Sequence, residues 1–269
     1  AAATEKATTA AATEAATDAA TTEAAGDTAA AAEGTVKTPS GKFTVGFDQE
    51  FPPMGFVGDD GQFTGFDLDL AKEVASRLGL EFVPQPINWD AKDMELDSGN
   101  IDCIWNGFTM QGREDAYTWV GPYMANNQVF VVTADSDIAS KADLAGKAVE
   151  VQKDSSGLAA LQGDAELSAS FGSMTEVADY NTALMDLESG ACDAVCMDSI
   201  VAGYQIKSSG KDMKILDDTL AAEEYGIGFK KGEDELAKAV HDTLMEMKDD
   251  GTVAKISNDW FGSDVFTLK

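Results

Sequence analysis

Two side chains of this chain could hold the two ends of a small zwitterion. Arg113 is one of only two arginines, and it follows closely after a predicted strand. A planar guanidinium grips a carboxylate through two parallel hydrogen bonds, which an ammonium cannot do. Asp198 comes directly after a buried apolar run, where a charge requires a partner. Such a pair suits an α-amino acid, with Arg113 at the carboxylate and Asp198 at the ammonium.

Further polar and aromatic residues follow strands predicted at 42–47, 101–105, 147–151 and 193–197. Ligands of open α/β sheets bind beyond the carboxyl ends of the strands. We therefore predict one ligand site and no catalytic or metal site. Trp105 is the member that could instead belong to the core. Besides Arg113 and Asp198, the predicted site residues are Asp48, Phe51, Trp105, Asn106, Gly107, Thr109, Ser155 and Ser156.

An internal repeat indicates how these strands are arranged. Residues 96–104 and 187–195 both read as a helix end, a Ser-Gly turn at Gly99 or Gly190, an Asp and a β-branched run. Upstream of each copy, a Gly-Lys dipeptide (41–42 and 146–147) stands at the start of another predicted strand. The order strand, helix, turn, strand thus occurs twice. This predicts two similar α/β lobes, and a cleft between lobes commonly takes a small ligand.

The apolar runs 129–133 and 225–229 are predicted to be the two crossings between the lobes. Lobe 1 would then comprise 41–131 plus 226–269, and lobe 2 would comprise 132–225. An amphipathic helix is expected at 66–78 because apolar residues recur every four positions and Gly79 follows. Residues 1–40 are predicted to be a disordered Ala-, Thr- and Glu-rich linker, since its first 34 residues have no large apolar side chain to bury.

Composition excludes several classes of function. The net charge of −29 argues against nucleic acid and anionic lipid as partners. A single histidine, His241, leaves nucleophilic hydrolysis without a visible base. The three cysteines lie in or beside apolar strands and are expected to be small core residues rather than zinc ligands. We predict no cofactor.

Several motifs together resemble family-3 extracellular solute-binding proteins of ABC importers, the polar amino-acid-binding type that includes glutamine-, histidine- and lysine/arginine/ornithine-binding members. The resemblance covers about 41–262. It rests on Gly-Phe-Asp-Leu-Asp-Leu-Ala at 65–71, Ile-Asp-Cys-Ile-Trp-Asn-Gly-Phe-Thr at 101–109, Arg113 with Trp119 and Pro122-Tyr123, and Tyr-Gly-Ile-Gly-Phe at 225–229.

This resemblance implies an α/β, two-lobe periplasmic-binding-protein-like (type II) fold with two hinge crossings and a ligand cleft between the lobes. Arg113, helped by Thr109 and the backbone of Ser155 and Ser156, would grip the ligand α-carboxylate. Asp198 and the Gly107 carbonyl would bind the α-ammonium. Phe51 would stack on the aliphatic part of the ligand, and Asp48 would face the ligand side chain.

The chain departs from the family pattern at several points. The segment between Thr109 and Arg113 is one residue shorter than usual, and Asp154 stands where the family usually has glycine. Met54 replaces a common aromatic, and Gln152 replaces a lysine of some glutamine binders.

The function expected is capture of a polar, neutral or basic L-amino acid and its delivery to a membrane permease by a monomer outside the cytoplasm, tethered through the N-terminal linker. An acidic ligand would need a second cation, for which Lys153 is the nearby candidate against Asp48 and Glu50. A dehydratase-type enzyme and a sensor ectodomain on the same fold are the alternatives.

Overall fold

The computed structural model describes Thr38 and residues 40–269. Most of the predicted linker therefore lies outside the described residues. Thr38 is buried, and its hydroxyl donates a hydrogen bond to the Lys42 carbonyl at 2.6 Å. This end of the predicted linker thus contacts the folded body.

The described residues contain twelve strands and eight α-helices. The strands are β1 Lys42–Phe47, β2 Glu50–Phe51, β3 Gly55–Val57, β4 Phe63–Thr64, β5 Glu81–Pro86, β6 Cys103–Thr109, β7 Tyr117–Thr133, β8 Ala148–Gln152, β9 Ser173–Val177, β10 Ala194–Asp198, β11 Met213–Ile215 and β12 Ala221–Lys230. The helices are α1 Phe66–Leu78, α2 Lys92–Asp97, α3 Ser156–Gly163, α4 Ala165–Ser170, α5 Tyr180–Ser189, α6 Ser199–Ser209, α7 Asp234–Asp249 and α8 Thr252–Phe261.

A nine-stranded sheet runs through both lobes in the order β5-β1-β6-β12-β7-β10-β8-β9, with β11 also on β7. We call the part with β1, β5 and β6 lobe 1, and the part with β8, β9 and β10 lobe 2. Within each part these strands are parallel. The antiparallel pair β7 and β12 joins the two parts, because β12 also pairs with β6 and β7 also pairs with β10. The two predicted crossing runs lie within these long strands.

The internal repeat builds the same turn in both lobes. Gly99 and Gly190 have φ of 74° and 78°, the left-handed conformation that glycine adopts without strain. The aspartate after each turn then accepts a backbone hydrogen bond near the start of a neighbouring strand. Asp102 accepts from Thr44 N at 2.6 Å, and Asp193 accepts from Ala148 N at 2.8 Å. The repeated Asp therefore has the same structural role in each lobe.

The helix predicted at 66–78 and the strand predicted at 42–47 are confirmed with these boundaries. The strand predicted at 101–105 is wrong in its extent. Strand β6 begins at Cys103 and continues to Thr109, because β12 pairs with its second half, with Tyr225 opposite Thr109. Asn106, Gly107 and Thr109, predicted to follow the strand, are thus strand residues. Asp198 is likewise the last residue of β10 rather than the residue after it.

Apolar side chains fill the space between the sheet and its helices in both lobes. In lobe 1, α1 packs against α7 and α8. All three cysteines are buried and free, as expected of core residues. Burial raises the pKa of each thiol, so the reactive thiolate is disfavoured.

Candidate ligand-binding cleft

Contacts between the two lobes form where strand ends face each other. Gln152 is the last residue of β8, and Asp48 directly follows β1. Gln152 donates a hydrogen bond from Nε2 to Asp48 Oδ2 at 2.7 Å. Thr109 Oγ1 at the end of β6 donates to Ser156 Oγ at the start of α3, at 3.2 Å. These are the carboxyl ends that the repeat predicted to meet. The lobes are closed on each other in this structure.

Two ion pairs flank these contacts at the cleft. Lys92 at the start of α2 pairs with Asp154 of the other lobe, and only 2% of the Lys92 side chain is exposed. Lys153 Nζ pairs with Asp90 at 2.7 Å, with both side chains exposed. Lys153 is thus already engaged by a carboxylate of lobe 1.

Arg113 follows β6 and lies half-buried against the aromatic face of Phe108, at 5.0 Å from the ring centroid. Its guanidinium donates to the carbonyls of Thr109 at 3.1 Å and Asp154 at 3.4 Å. Among the residues that the structure describes, it forms no ion pair with a carboxylate. In a protein of net charge −29, an arginine at a cleft without a carboxylate partner is well placed to receive one from a ligand.

The first turn of α3 lies beside Arg113. Ser155 is the N-cap of this helix, and its side chain accepts from Leu158 N at 3.1 Å. The partial positive charge of a helix N-terminus favours an anion there. A cavity of about 820 Å³ is lined by Thr109, Arg113, Ser155, Ser156 and Glu223, among others. A carboxylate in this cavity would meet the guanidinium and the helix N-terminus together.

The backbone at Asp154 explains one departure from the family pattern. Asp154 has φ of 56°, in the left-handed region where glycine is favoured. Asp and Asn tolerate this region better than most other residues. The chain therefore keeps the turn that a glycine would make, and it gains a carboxylate that pairs with Lys92.

Asp198 is 3% exposed at the end of β10. Its Oδ1 accepts from Asn126 Nδ2 at 2.6 Å and from the Tyr225 hydroxyl at 2.7 Å. Burial, and then the negative charge of Glu223, hold the pKa of Asp198 well above its usual value. Buried in this way, the carboxylate would gain most from a cationic partner.

Asp48 occupies the other end of the cleft. Its carboxylate accepts from Gln152 and from Glu50 N, the latter at 2.9 Å. Burial raises the pKa of Asp48 to about 6, against the opposing effect of these hydrogen bonds. It borders a cavity of about 760 Å³ whose ionisable side chains are mostly acidic: Asp48, Glu50, Asp90, Lys153, Glu95, Glu176 and Asp179.

Aromatic rings and a glycine lie between these polar ends. The rings of Phe51 and Tyr180 come from opposite lobes, and their centroids are 5.9 Å apart. Gly107 has φ of 58°, and a Cβ there would lie 3.1 Å from both Phe51 and Tyr225. Asp67 Oδ2 accepts from Gly107 N at 2.7 Å, which holds this irregular strand backbone in place.

The remaining two predicted site residues differ in position. Asn106 lies beside Asp48, and its Oδ1 accepts from Asp48 N at 3.0 Å. Trp105 is fully buried and packs against Tyr123, so the structure places it in the core. Successive strand residues point to opposite faces, which separates Trp105 from Asn106.

Several residues at the cleft were missed by sequence reasoning. They are Lys92, Asn126, Gln128, Tyr180 and Glu223. Asn126, Gln128 and Glu223 lie on the long strands β7 and β12, and only the register of those strands brings them to the cleft. Tyr180 could have been found from the sequence, because it follows Asp179, the N-cap of the helix in the second repeat.

Within Thr38 and residues 40–269, no group of three His, Cys, Asp or Glu side chains could hold a metal ion. No helix in the same part of the chain is both long enough and apolar enough to cross a membrane.

Comparison with known proteins identifies the family. The model for bacterial extracellular solute-binding proteins, family 3, matches residues 43–263. The L-cystine-binding protein TcyJ of Escherichia coli (strain K12) is 31% identical over 231 residues, covering 84% of each protein. The L-cystine-binding protein TcyA of Bacillus subtilis (strain 168) is 32% identical over 229 residues, covering 84% of this chain and 83% of TcyA.

Solved structures show the same fold. The substrate-binding protein of an ABC uptake transporter from Streptococcus pneumoniae, with bound histidine, superposes with a TM-score of 0.82 at 34% identity. The match covers 85% of this chain and 95% of that one. These similarities agree with the two-lobe α/β architecture and its cleft. The chain belongs to family 3 of the bacterial extracellular solute-binding proteins.

Proposed function

We propose that this protein binds a polar, neutral or basic L-amino acid in the cleft between its lobes and delivers it to the membrane permease of an ABC importer. The observation that supports the proposal most strongly is the position of the Arg113 side chain. Its guanidinium lies at the cleft, beside the N-terminus of α3, without an ion-pair partner among the described residues.

In this proposal the ligand α-carboxylate binds Arg113, the Thr109 hydroxyl and the backbone of Ser155 and Ser156. The α-ammonium binds Asp198, with the Gly107 carbonyl as a second acceptor. The burial of Asp198 supports this assignment, because a buried carboxylate gains most from a cationic partner. Phe51 and Tyr180 would enclose the aliphatic part of the ligand.

The charge at the Asp48 end favours neutral and basic ligand side chains. Six of the seven ionisable groups lining that cavity are acidic, and the one lysine, Lys153, pairs with Asp90. A ligand carboxylate buried there would be repelled, which disfavours glutamate and aspartate.

The relatives fit this charge pattern. TcyJ and TcyA are named for cystine, whose far end carries a second ammonium beside its second carboxylate. The Streptococcus pneumoniae protein holds histidine, a neutral or cationic side chain. Cystine, histidine, arginine, lysine and glutamine remain the candidate ligands of this chain.

We place the protein outside the cytoplasmic membrane, as a monomer tethered through its N-terminal segment. The family description supports the extracellular location. We also propose reversible binding rather than catalysis, since the relatives compared above are all binding proteins.

A thermal-stability screen against the twenty amino acids, cystine and ornithine tests the proposal. A ligand present at 100-fold over its dissociation constant should add about 2.7 kcal/mol to the free energy of unfolding. Stabilisation by a neutral or basic amino acid is expected. Stabilisation by glutamate or aspartate alone would contradict the ligand class, and no stabilisation by any amino acid would contradict amino-acid binding.

A further inference from the structure

Asp198 does not lie alone in the interior. Glu223, on β12, is 6% exposed, and one amide nitrogen joins the two carboxyl groups. Asn126 Nδ2 donates to Asp198 Oδ1 at 2.6 Å and to Glu223 Oε1 at 2.7 Å. The Asn126 amide group thus donates one hydrogen to each carboxyl group. Both carboxyl groups lie where β7 and β12 connect the lobes.

Neutral donors complete the surroundings of this pair. Gln128 Nε2 on β7 donates to Glu223 Oε1 at 2.8 Å, and Ser156 on α3 donates to the same oxygen at 3.4 Å. The titratable neighbours are Tyr225 on β12, Tyr180 on α5 and Cys196 on β10. Each is neutral at pH 7, and burial raises its pKa further above that pH.

No cation of the described residues pairs with these two carboxyl groups, although Arg113 lines the same cavity as Glu223. Neither carboxyl group forms an ion pair with a Lys, Arg or His in that part of the chain. Two adjacent carboxylates cannot both stay ionised in a buried site without a compensating positive charge. Without a ligand, the state in which the pair holds one proton is therefore favoured over the doubly ionised state.

We propose that Glu223 is a second carboxylate of the α-ammonium subsite, and that the Asp198–Glu223 pair holds one proton which it releases to solvent when the ligand ammonium binds. The inference rests on the amino-acid binding proposed above. The ligand ammonium stays protonated throughout. Its positive charge therefore replaces that of the proton which leaves the carboxyl pair.

Glu223 also connects this subsite to closure of the lobes. Ser156, which contacts Glu223, accepts a hydrogen bond from Thr109 of lobe 1. Glu223 is therefore linked through Ser156 to a contact between the lobes.

The sign of the pH effect follows from this exchange. While the free pair holds its proton, binding must release it, so affinity rises with pH by up to tenfold per pH unit. The rise ends once the free pair is ionised. Burial and the Glu223 charge, which keep the pKa of Asp198 high, extend this range upward.

Isothermal titration calorimetry in phosphate, HEPES and Tris at pH 7 measures the released proton, because these buffers differ in their heat of ionisation. L-arginine, L-glutamine, L-histidine and L-cystine are titrated in turn. For arginine and glutamine, whose side chains do not titrate near pH 7, wild type should release close to one proton per ligand bound.

Glu223→Gln should reduce the release, because it removes the negative charge that raises the pKa of Asp198 beyond the effect of burial. Glu224→Gln is the matched control, since Glu224 is the next residue on β12, is exposed and contacts Gln111 instead. The control should keep the wild-type release.

Tyr225→Phe provides an independent variant, because it removes a hydrogen bond that favours ionised Asp198. It should weaken binding at pH 7 and recover toward wild type at pH 9. Amino-acid binding without proton release in wild type, or unchanged release in Glu223→Gln, would overturn this inference alone. If no amino acid bound at all, the proposed function itself would fail.

Discussion

Thr109 Oγ1 lies 3.2 Å from Ser156 Oγ, although the two residues belong to different lobes. Thr109 ends β6 and Ser156 begins α3, so the contact joins a strand end of lobe 1 to a helix N-terminus of lobe 2. Gln128 of the connecting strand β7 donates to the same Ser156 oxygen at 3.2 Å. Opening the cleft would break the contact between Thr109 and Ser156.

Asp198→Asn should lose most amino-acid binding while the fold persists. The amide can still accept from Asn126 and Tyr225, but it gives the ligand ammonium no charge partner. Binding is measured by calorimetry and folding by the melting temperature. Normal binding by this variant would mean that the ammonium is held elsewhere, with Glu223 as the next candidate.

Asp48 should make the affinity for basic ligands depend on pH. Its pKa is raised to about 6, so the carboxylate is ionised above pH 6 and becomes neutral below it. Affinity for arginine or lysine should therefore fall between pH 7 and pH 5 by more than affinity for glutamine.

The comparison is made by competition at each pH, with Asp48→Asn as the control that should abolish the difference. If glutamate displaced a neutral or basic ligand at comparable concentration, the assignment of Asp48 to the ligand side chain would be wrong. Lys153 would then be the residue to test.

Asp154→Asn should shift the protein toward an open form. The substitution keeps a residue that tolerates the left-handed backbone but removes the charge that pairs with buried Lys92. We expect ligand affinity to fall about fivefold to thirtyfold, the effect of roughly 1–2 kcal/mol lost from the closed state.

Small-angle scattering of the unliganded variant should show a larger radius of gyration. Asp90→Asn is the matched control, because its pair with Lys153 is exposed and should contribute less. An equal effect of the two substitutions would contradict a special role for the buried lysine.

Asp67→Asn should change how stability depends on pH. Burial raises the pKa of Asp67 to about 7, whereas the carboxyl of the unfolded chain ionises near 3.8. The stabilising contribution of the protonated group is therefore complete below pH 3.8 and is lost as the pH rises through 7.

Asparagine removes this titration and can still accept from Gly107 N and the Tyr123 hydroxyl. The stability of the variant relative to wild type should rise by about 2–4 kcal/mol between pH 4 and pH 8. Urea unfolding at the two pH values measures this. A constant difference would show that Asp67 does not titrate in that range.

Local sequence patterns predicted the elements whose signals are local. The Ser-Gly turns at Gly99 and Gly190 and the amphipathic helix α1 depend on residues a few positions apart, and the structure has them where expected. The repeat also predicted which strand ends meet. The contact between Asp48 and Gln152 agrees with that arrangement.

Features set by pairing between distant strands could not be predicted. Asn106 to Thr109 were predicted to follow a strand that ends at Trp105, yet β12 continues the sheet along them. Nothing in the local sequence distinguishes Glu223 from its neighbour Glu224. Only the register of β12 shows that it faces the interior while Glu224 faces solvent.

Calorimetric titration of the amino acid that stabilises the protein most, into wild type, Arg113→Lys and Arg77→Lys, tests the central claim most directly. Arg77 is the matched control because it already pairs with Glu73 and Asp250 on the surface. We predict one ligand per chain in wild type. Arg113→Lys should weaken binding more than tenfold, about 1.4 kcal/mol or more, and Arg77→Lys should leave it unchanged. Equal affinity of wild type and Arg113→Lys would contradict the claim that this guanidinium grips the ligand carboxylate.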